Sequence, residues 1–149
     1  MKIIKKIAKK IPGIPRLYVE IQNLKQKNKL KNKDAENIFS EIYKYNEWGS
    51  NESISGAGSE VEQTQIIINK LPEIFDDLSI TSMLDVPCGD FNWMKNVDLN
   101  KINYLGADIV DELIKENIKN FQTETVSFQK LNLIADNLPT VDLIFCRDC

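Results

Sequence analysis

Four short apolar runs, each of the length of a β-strand, follow one another in the second half of the chain. They occupy residues 81–86, 102–109, 125–131 and 141–146. Between the second and the third run, apolar residues recur at spacings of three and four over residues 110–121, which predicts an amphipathic helix. Strands that alternate with helices usually pair in parallel, so the pattern predicts an α/β fold. We expect a Rossmann-like half-sheet of about four parallel strands with flanking helices.

The helix over residues 110–121 carries acidic residues in its first turn and Lys119 near its last turn, which matches the helix macrodipole. A shorter helix is predicted near residues 91–96, after the first strand. The buried stripe of the longer helix is predicted to consist of Leu113, Ile114, Asn117, Ile118 and Phe121.

The segment before the strands predicts helices separated by one long loop. Asp34 is placed to cap a helix over residues 34–45. A second helix is predicted from residue 59 or 60 toward residue 70, and Pro72 is expected to begin a separate short helical piece that ends near residue 78. Residues 46–59 are rich in Gly, Ser and Asn and carry Trp48, which indicates a loop. Such a loop is either a lid or binding loop or a plain connector.

Charge divides the chain at about residue 33. Residues 1–33 contain 11 lysines and arginines and one acid, whereas the rest of the chain contains 8 basic and 21 acidic residues. Isoleucines recur at helical spacing over residues 1–11 with lysines on the other side, and a second helix is plausible over residues 14–30. The basic arm either contacts an anionic membrane surface or phosphates, or is a soluble extension. The predicted domains are the arm (1–33), a helical cap with the loop (34–80) and a partial Rossmann-like domain (81–149).

Composition excludes several classes of chemistry and of partner. The chain has no histidine, which removes histidine-dependent triads and histidine metal sites from consideration. Three cysteines are too few and too clustered for a secreted disulfide framework, and no apolar run approaches the roughly 20 residues of a membrane span. We therefore expect a cytoplasmic protein with no metal. The acidic body disfavours nucleic acid as a partner.

Carboxylates follow two neighbouring strands of the predicted sheet. Asp85 ends the first strand, and Asp108 ends the second, 19 positions after Gly89. In open parallel sheets, ligands bind outside the carboxyl ends of the strands, and an acid about 20 residues after the glycine turn contacts a ribose. Asp108 is therefore expected to accept hydrogen bonds from ribose hydroxyls. The alternative is that Asp108 caps the following helix.

The turn after the first strand has one glycine where dinucleotide folds have three. Pro87 stands at the first glycine position and Phe91 at the last, so close approach of a diphosphate is disfavoured. Asp90 would repel a phosphate but suits a cationic sulfonium and an amino group. The turn therefore favours S-adenosylmethionine over a nicotinamide dinucleotide, and it disfavours an oxidoreductase.

Residues 84–94, 104–110 and 141–148 resemble successive motifs of class I S-adenosylmethionine-dependent methyltransferases. More narrowly, they are similar to a bacterial branch with an LDxPCGDxxWM turn and a strand that ends in Arg-Asp, and residues 38–59 are similar to its upstream signature. The resemblance covers about residues 34–149 and implies S-adenosylmethionine as the cofactor. The cofactor-binding residues that it implies, together with the turn, are Asp85, Pro87, Cys88, Gly89, Asp90, Asp108, Ile109, Asn132 and Leu133. In this assignment Asp85, Cys88 and Gly89 line the methionine side, Ile109 flanks adenine, and Asn132 and Leu133 edge the base.

The resemblance also sets expectations for the acceptor side. Arg147 and Asp148 would orient an acceptor hydroxyl as a charge clamp or general base, or they pair with upstream helices. The resemblance also implies a sheet of about seven strands, so we expect a truncated or split product with a complementing C-terminal chain. The implied substrate is a sugar or other small molecule of a surface polysaccharide pathway. The alternative function is that of a non-catalytic binding module. In this alternative the basic arm tethers the module to a membrane surface, through residues 1–11, or to a partner. The spacing of Cys146 and Cys149 does not indicate a redox pair, because no helix begins there.

Overall fold

The structure, a computed structural model, describes residues 34–147. The predicted basic arm and Asp148 lie outside the described residues. The helices are α1 (Ala35–Tyr45), α2 (Val61–Asp77) and α3 (Asp111–Phe121), with short 3-10 turns at Ala57–Ser59 and Met94–Asn96. The strands are β1 (Ser82–Asp85), β2 (Asn103–Asp108), β3 (Val126–Lys130) and β4 (Leu143–Phe145).

The four strands form one parallel sheet in the order β3-β2-β1-β4. Met83 of β1 is in register with Tyr104 of β2 on one side and with Leu143 of β4 on the other. Each described strand lies within one of the predicted apolar runs, and α3 follows β2 as expected. The predicted α/β fold with a parallel, Rossmann-like half-sheet is therefore confirmed.

The core is centred on β1 and β2. Met83, Leu84 and Tyr104 are almost completely buried there. The ring of Phe91 lies 5.3 Å from that of Tyr104 and 5.1 Å from that of Phe128, between centroids. Aromatic contacts of this kind stabilise a core beyond their buried area. The turn that carries Phe91 is thereby packed onto the sheet, which fixes the position of the preceding residues at the end of β1.

The beginning of α1 follows the prediction, and the course of α2 does not. Asp34 Oδ1 accepts a hydrogen bond of 2.9 Å from the backbone N–H of Asn37, which is the expected capping interaction. The prediction that Pro72 begins a separate helical piece is wrong, because α2 continues through Pro72. Its buried face spans the proline, with Leu71 on one side and Phe75 on the other. Burial of this continuous stripe outweighs the loss of the proline hydrogen bond.

Two smaller predictions also need correction. The piece near residues 91–96 is a 3-10 turn at Met94–Asn96. In α3, Leu113, Ile114 and Asn117 are buried as predicted, but Ile118 is 40% exposed.

Among residues 34–147, no helix combines the length and apolarity that crossing a membrane requires.

Candidate functional site

The order of the strands places a crevice between β1 and β4. The chain proceeds from β1 through β2 to β3 on one side and returns to place β4 on the other side of β1. In open α/β sheets, ligands bind at this reversal, outside the carboxyl ends of the strands. Here those ends are followed by residues 86–90 after β1 and by Arg147 after β4, while Asp108 ends the adjacent strand β2. The residues that the sequence singled out at the strand ends therefore lie at the same edge of the sheet.

The backbone amides of the turn after β1 are hydrogen-bonded within the protein. The N–H of Cys88 donates to the carbonyl of Ala107 at 2.8 Å, and the N–H of Gly89 donates to Asp108 Oδ2 at 3.2 Å. The N–H of Asp90 donates to Ser55 Oγ at 2.9 Å. Dinucleotide folds bind a pyrophosphate with open amides at this position. Three consecutive engaged amides therefore disfavour a pyrophosphate ligand.

Asp108 ends β2, which neighbours β1 on the side away from β4. Its carboxylate accepts hydrogen bonds from the N–H of Gly89 and, at 3.1 Å, from the N–H of Val110. Val110 itself occupies the N-cap position of α3, so the alternative interpretation of Asp108 as the cap residue is wrong. Burial raises the pKa of Asp108, and the backbone hydrogen bonds from Val110 and Gly89 oppose that rise. A backbone hydrogen bond from Ile109 also lowers this pKa, so of the roughly four acceptor sites of an ionised carboxylate about one remains for a ligand.

Asp85 is a second buried carboxylate at this edge of the sheet. Its side chain accepts a hydrogen bond of 2.7 Å from the hydroxyl of Tyr104, and only 3% of the residue is exposed. Burial raises the pKa of Asp85 to about 7, against the lowering effect of the Tyr104 hydrogen bond. The negative charge of Asp108 adds to the rise, and the positive charge of Arg147 opposes it. Asp85 is thus close to its midpoint of ionisation at neutral pH.

Asn117 of α3 fixes the turn from the other side. Its side-chain amide donates to the carbonyl of Gly89 at 2.8 Å and contacts Cys88 Sγ at 3.9 Å. Gly89 has a φ of 57°, in the left-handed region that favours glycine. Burial raises the pKa of the Cys88 thiol, so Cys88 is an uncharged, packed side chain. Pro87 precedes it in the same turn and is linked to Val86 by a cis peptide bond.

Asp90 binds protein groups that the sequence analysis did not connect with it. The Ser53 hydroxyl lies 3.0 and 2.9 Å from the two carboxylate oxygens of Asp90 and shares its one hydrogen between them, and the N–H of Ile54 donates to Oδ2 at 2.9 Å. The N–H of Asn92 donates to Oδ1 at 3.3 Å. The carboxylate therefore anchors the loop before α2. A sequence signal for these contacts is lacking, because the partners are about 37 positions apart and follow no periodic pattern.

The residues predicted to edge the adenine lie after β2 and β3. Asn132 Oδ1 accepts hydrogen bonds from the N–H groups of Ile134, at 3.0 Å, and Ala135, at 3.3 Å, so its side chain stabilises the turn after β3. Leu133 is half-buried and packs against the small core cluster beside β1. Ile109 is half-buried against the main core. Their contacts with a base remain predictions.

Arg147 lies where β4 ends. Its Nη2 donates a hydrogen bond of 2.7 Å to the carbonyl of Gly58, and its guanidinium lies 5.9 Å from the centre of the Trp93 ring. Arg147 thus contacts both the loop before α2 and the segment after β1. Its interpretation as an acceptor clamp remains a prediction, as does the role of Asp148, which lies outside the described residues.

Comparison by sequence finds no counterpart: the chain matches no protein-family model and no curated protein. Among solved structures, it is similar to human N-acetylserotonin methyltransferase, whose crystal structure is a complex with S-adenosylmethionine. The sequences are 18% identical, and the TM-score is 0.40. The alignment covers 66% of this chain and 32% of the other, so this chain spans about a third of the length of that neighbour. The function proposed below rests on the site and on the sequence motifs.

Proposed function

We propose that the chain is the cofactor-binding part of a methyltransferase that uses S-adenosylmethionine. The observation that carries the proposal is the turn after β1, where the amides of Cys88, Gly89 and Asp90 are all hydrogen-bonded within the protein. Because these amides are engaged, a ligand without a diphosphate is favoured at this crevice. S-adenosylmethionine is such a ligand, because its ribose is joined to its amino-acid part through a sulfonium and not through phosphates.

The charges of the crevice support a cationic ligand. Two buried carboxylates, Asp85 and Asp108, lie at the carboxyl ends of neighbouring strands, and burial raises the pKa of both. A positive charge nearby would favour their ionised forms and thereby gain binding free energy. The acceptor capacity left on the Asp108 carboxylate suits a hydroxyl of a ribose. When bound, S-adenosylmethionine supplies an activated methyl group on its sulfonium.

The acceptor is proposed on the resemblance alone. The motif over residues 84–94 and the Arg147-Asp148 pair are similar to those of enzymes whose substrates are sugars or other small molecules of surface polysaccharides. In such a reaction, orientation of the acceptor hydroxyl toward the methyl group supplies much of the acceleration. Arg147 and Asp148 are the residues that we propose for this orientation. A cytoplasmic location and contact of residues 1–11 with a membrane surface remain predictions.

Calorimetric titration with S-adenosylhomocysteine tests the proposal. We expect saturable binding by the full chain and a loss of affinity of at least about tenfold in Asp108→Ala, because hydrogen bonds to a charged acceptor are lost. Asp108→Asn keeps the size of the side chain and should also bind more weakly, which separates the charge from a packing defect. The matched control is Asp111→Ala, since Asp111 is a nearby half-exposed acid in the first turn of α3 that pairs with Lys115. Its affinity should stay within about twofold of the original.

The alternatives give distinct results in the same experiment. Saturable binding of NAD without binding of S-adenosylhomocysteine would refute the proposal. Absence of S-adenosylhomocysteine binding by a chain that is folded by circular dichroism would favour the non-catalytic module instead.

A further inference from the structure

The loop before α2 is attached to the turn after β1 through several hydrogen bonds. We call residues 50–59 the strap. Ser53 Oγ and the N–H of Ile54 donate to the carboxylate of Asp90, while the N–H of Asp90 donates back to Ser55 Oγ. Ser53 is 2% exposed although it lies outside every helix and strand. A loop whose serine is this deeply buried has a defined position on the protein.

A second set of contacts attaches both ends of the strap. The carbonyl of Gly58 accepts the hydrogen bond from Arg147 at 2.7 Å. The side-chain amide of Asn92 donates to Glu52 Oε1 at 2.8 Å and to the carbonyl of Ser59 at 3.1 Å. The strap is therefore held at its start, through Glu52, and at its end, through Gly58 and Ser59.

The two principal anchors flank the crevice. Asp90 follows β1 and Arg147 follows β4, and these strands lie on either side of the reversal of strand order. A strap that binds both anchors therefore crosses the carboxyl end of the crevice. It also contacts the turn directly, since a Cβ atom added at Gly89 would lie only 3.0 Å from Ser55 Cβ and still nearer to Ser55 Oγ.

We infer that the strap forms one wall of the cofactor site, and that Asp90 is the positioning residue that holds it there. The inference rests on the proposed function. In this arrangement, Asp90 acts through Ser53 and Ile54, and its carboxylate is not the group that contacts the cation of the ligand. The strap faces the part of the ligand nearest Gly89, so a displaced strap weakens binding without a change in Asp85 or Asp108.

Titration with S-adenosylhomocysteine, combined with amide hydrogen exchange, tests the inference on the full chain. In Asp90→Ala the strap loses two or more hydrogen bonds to a charged acceptor, so it is no longer held against the turn. We expect the affinity for the ligand to fall by about tenfold or more. Asp90→Asn keeps one acceptor oxygen and should restore part of the affinity. Ser53→Ala is the milder variant, which removes one donor to Asp90 and leaves the carboxylate in place. In the unmutated chain, the ligand should slow exchange in residues 50–59, and this effect should be absent in Asp90→Ala.

Asp142→Ala is the matched control. Asp142 also binds a distant segment through several hydrogen bonds, to Thr81 and Ser82, but it does so at the amino ends of β1 and β4. Its removal should destabilise the fold and leave the affinity of the folded chain within about twofold. This comparison separates loss of the strap from a general loss of stability.

Each outcome decides the inference. Unchanged affinity in Asp90→Ala and Ser53→Ala, in a chain that binds S-adenosylhomocysteine, would overturn the inference and leave the proposed function intact. Equal weakening in Asp142→Ala would overturn it as well, because the effect would then follow stability. No binding by the unmutated folded chain would overturn the proposed function, and the inference with it.

Discussion

The buried carboxylate of Asp85 makes a quantitative prediction about stability and pH. Its pKa is about 7 in the folded chain, against an ordinary value of 3.8. The folded chain therefore holds a proton that the unfolded chain releases between about pH 4 and pH 7, so its stability falls as the pH rises through this window. Asp85→Asn cannot titrate. Relative to the unmutated chain, the variant should become steadily more stable as the pH rises.

The magnitude follows from the two pKa values. The rise from 3.8 to about 7 corresponds to about 4 kcal/mol over the whole window and to roughly 2.5 kcal/mol between pH 5 and pH 8. The groups that face Asp85 are Tyr104 on β2, Asp108 at the end of β2, and Arg147 after β4. Tyr104→Phe removes the hydrogen bond that lowers this pKa, so the decline in stability should extend to higher pH.

Urea unfolding at pH 5, 6, 7 and 8, followed by circular dichroism, measures this difference. The pH dependence carries the test, because the asparagine amide changes the absolute stability by its own hydrogen bonding. Asp142→Asn is the control, since the pKa of Asp142 is about 2 and its ionisation does not change in this range. A difference between Asp85→Asn and the unmutated chain that is constant from pH 5 to pH 8 would refute the reasoning.

Two further predictions concern the turn and the opposite edge of the sheet. Gly89→Ala should lower the free energy of unfolding by about 1–2 kcal/mol from its left-handed backbone alone, with an added clash against Ser55. Ser55→Gly in that background removes the clash, but it also removes the acceptor of the Asp90 N–H, so urea unfolding should show only partial recovery. Full stability of Gly89→Ala alone would contradict this prediction. Hydrogen bonds from Thr81 and Ser82 lower the pKa of Asp142 to about 2, so its contribution to stability is present above pH 3.8 and is lost as the pH falls toward 2. Acid titration by circular dichroism should show this loss in the unmutated chain and not in Asp142→Asn, and identical acid transitions would count against it.

The strand ends could be predicted from the sequence because they depend on local patterns. Short apolar runs, with an amphipathic helix between the second and the third, predicted a parallel sheet. A parallel sheet brings the carboxyl ends of its strands to one edge. Asp85 and Asp108 therefore lie where the pattern placed them. The hydrogen bond from the Gly89 amide to Asp108 was not predicted, because it depends on the exact path of residues 86–90.

The strap shows why the rest of the site was beyond sequence reasoning. The hydrogen bonds between Ser53 and Asp90 join positions 37 apart, and neither residue belongs to a periodic pattern. The prediction that a helix begins at Pro72 was wrong for a related reason. The preference of proline for the first turn of a helix is weaker than the stabilisation from burial of Leu71 and Phe75 on one face of α2. In both cases a contact distant in sequence decides the local structure.

The order of strands in the sheet also bears on how the protein folds. Strand β1 pairs with β2 across about 20 positions, whereas its pairing with β4 joins Met83 to Leu143, 60 positions later. Pairings that close longer stretches of chain carry a larger entropic cost before they gain contacts, and they form more slowly. The crevice exists only after β4 has joined β1. We therefore expect the ligand site to be the last part of the sheet to assemble, so that recovery of ligand binding during refolding should lag behind recovery of secondary structure.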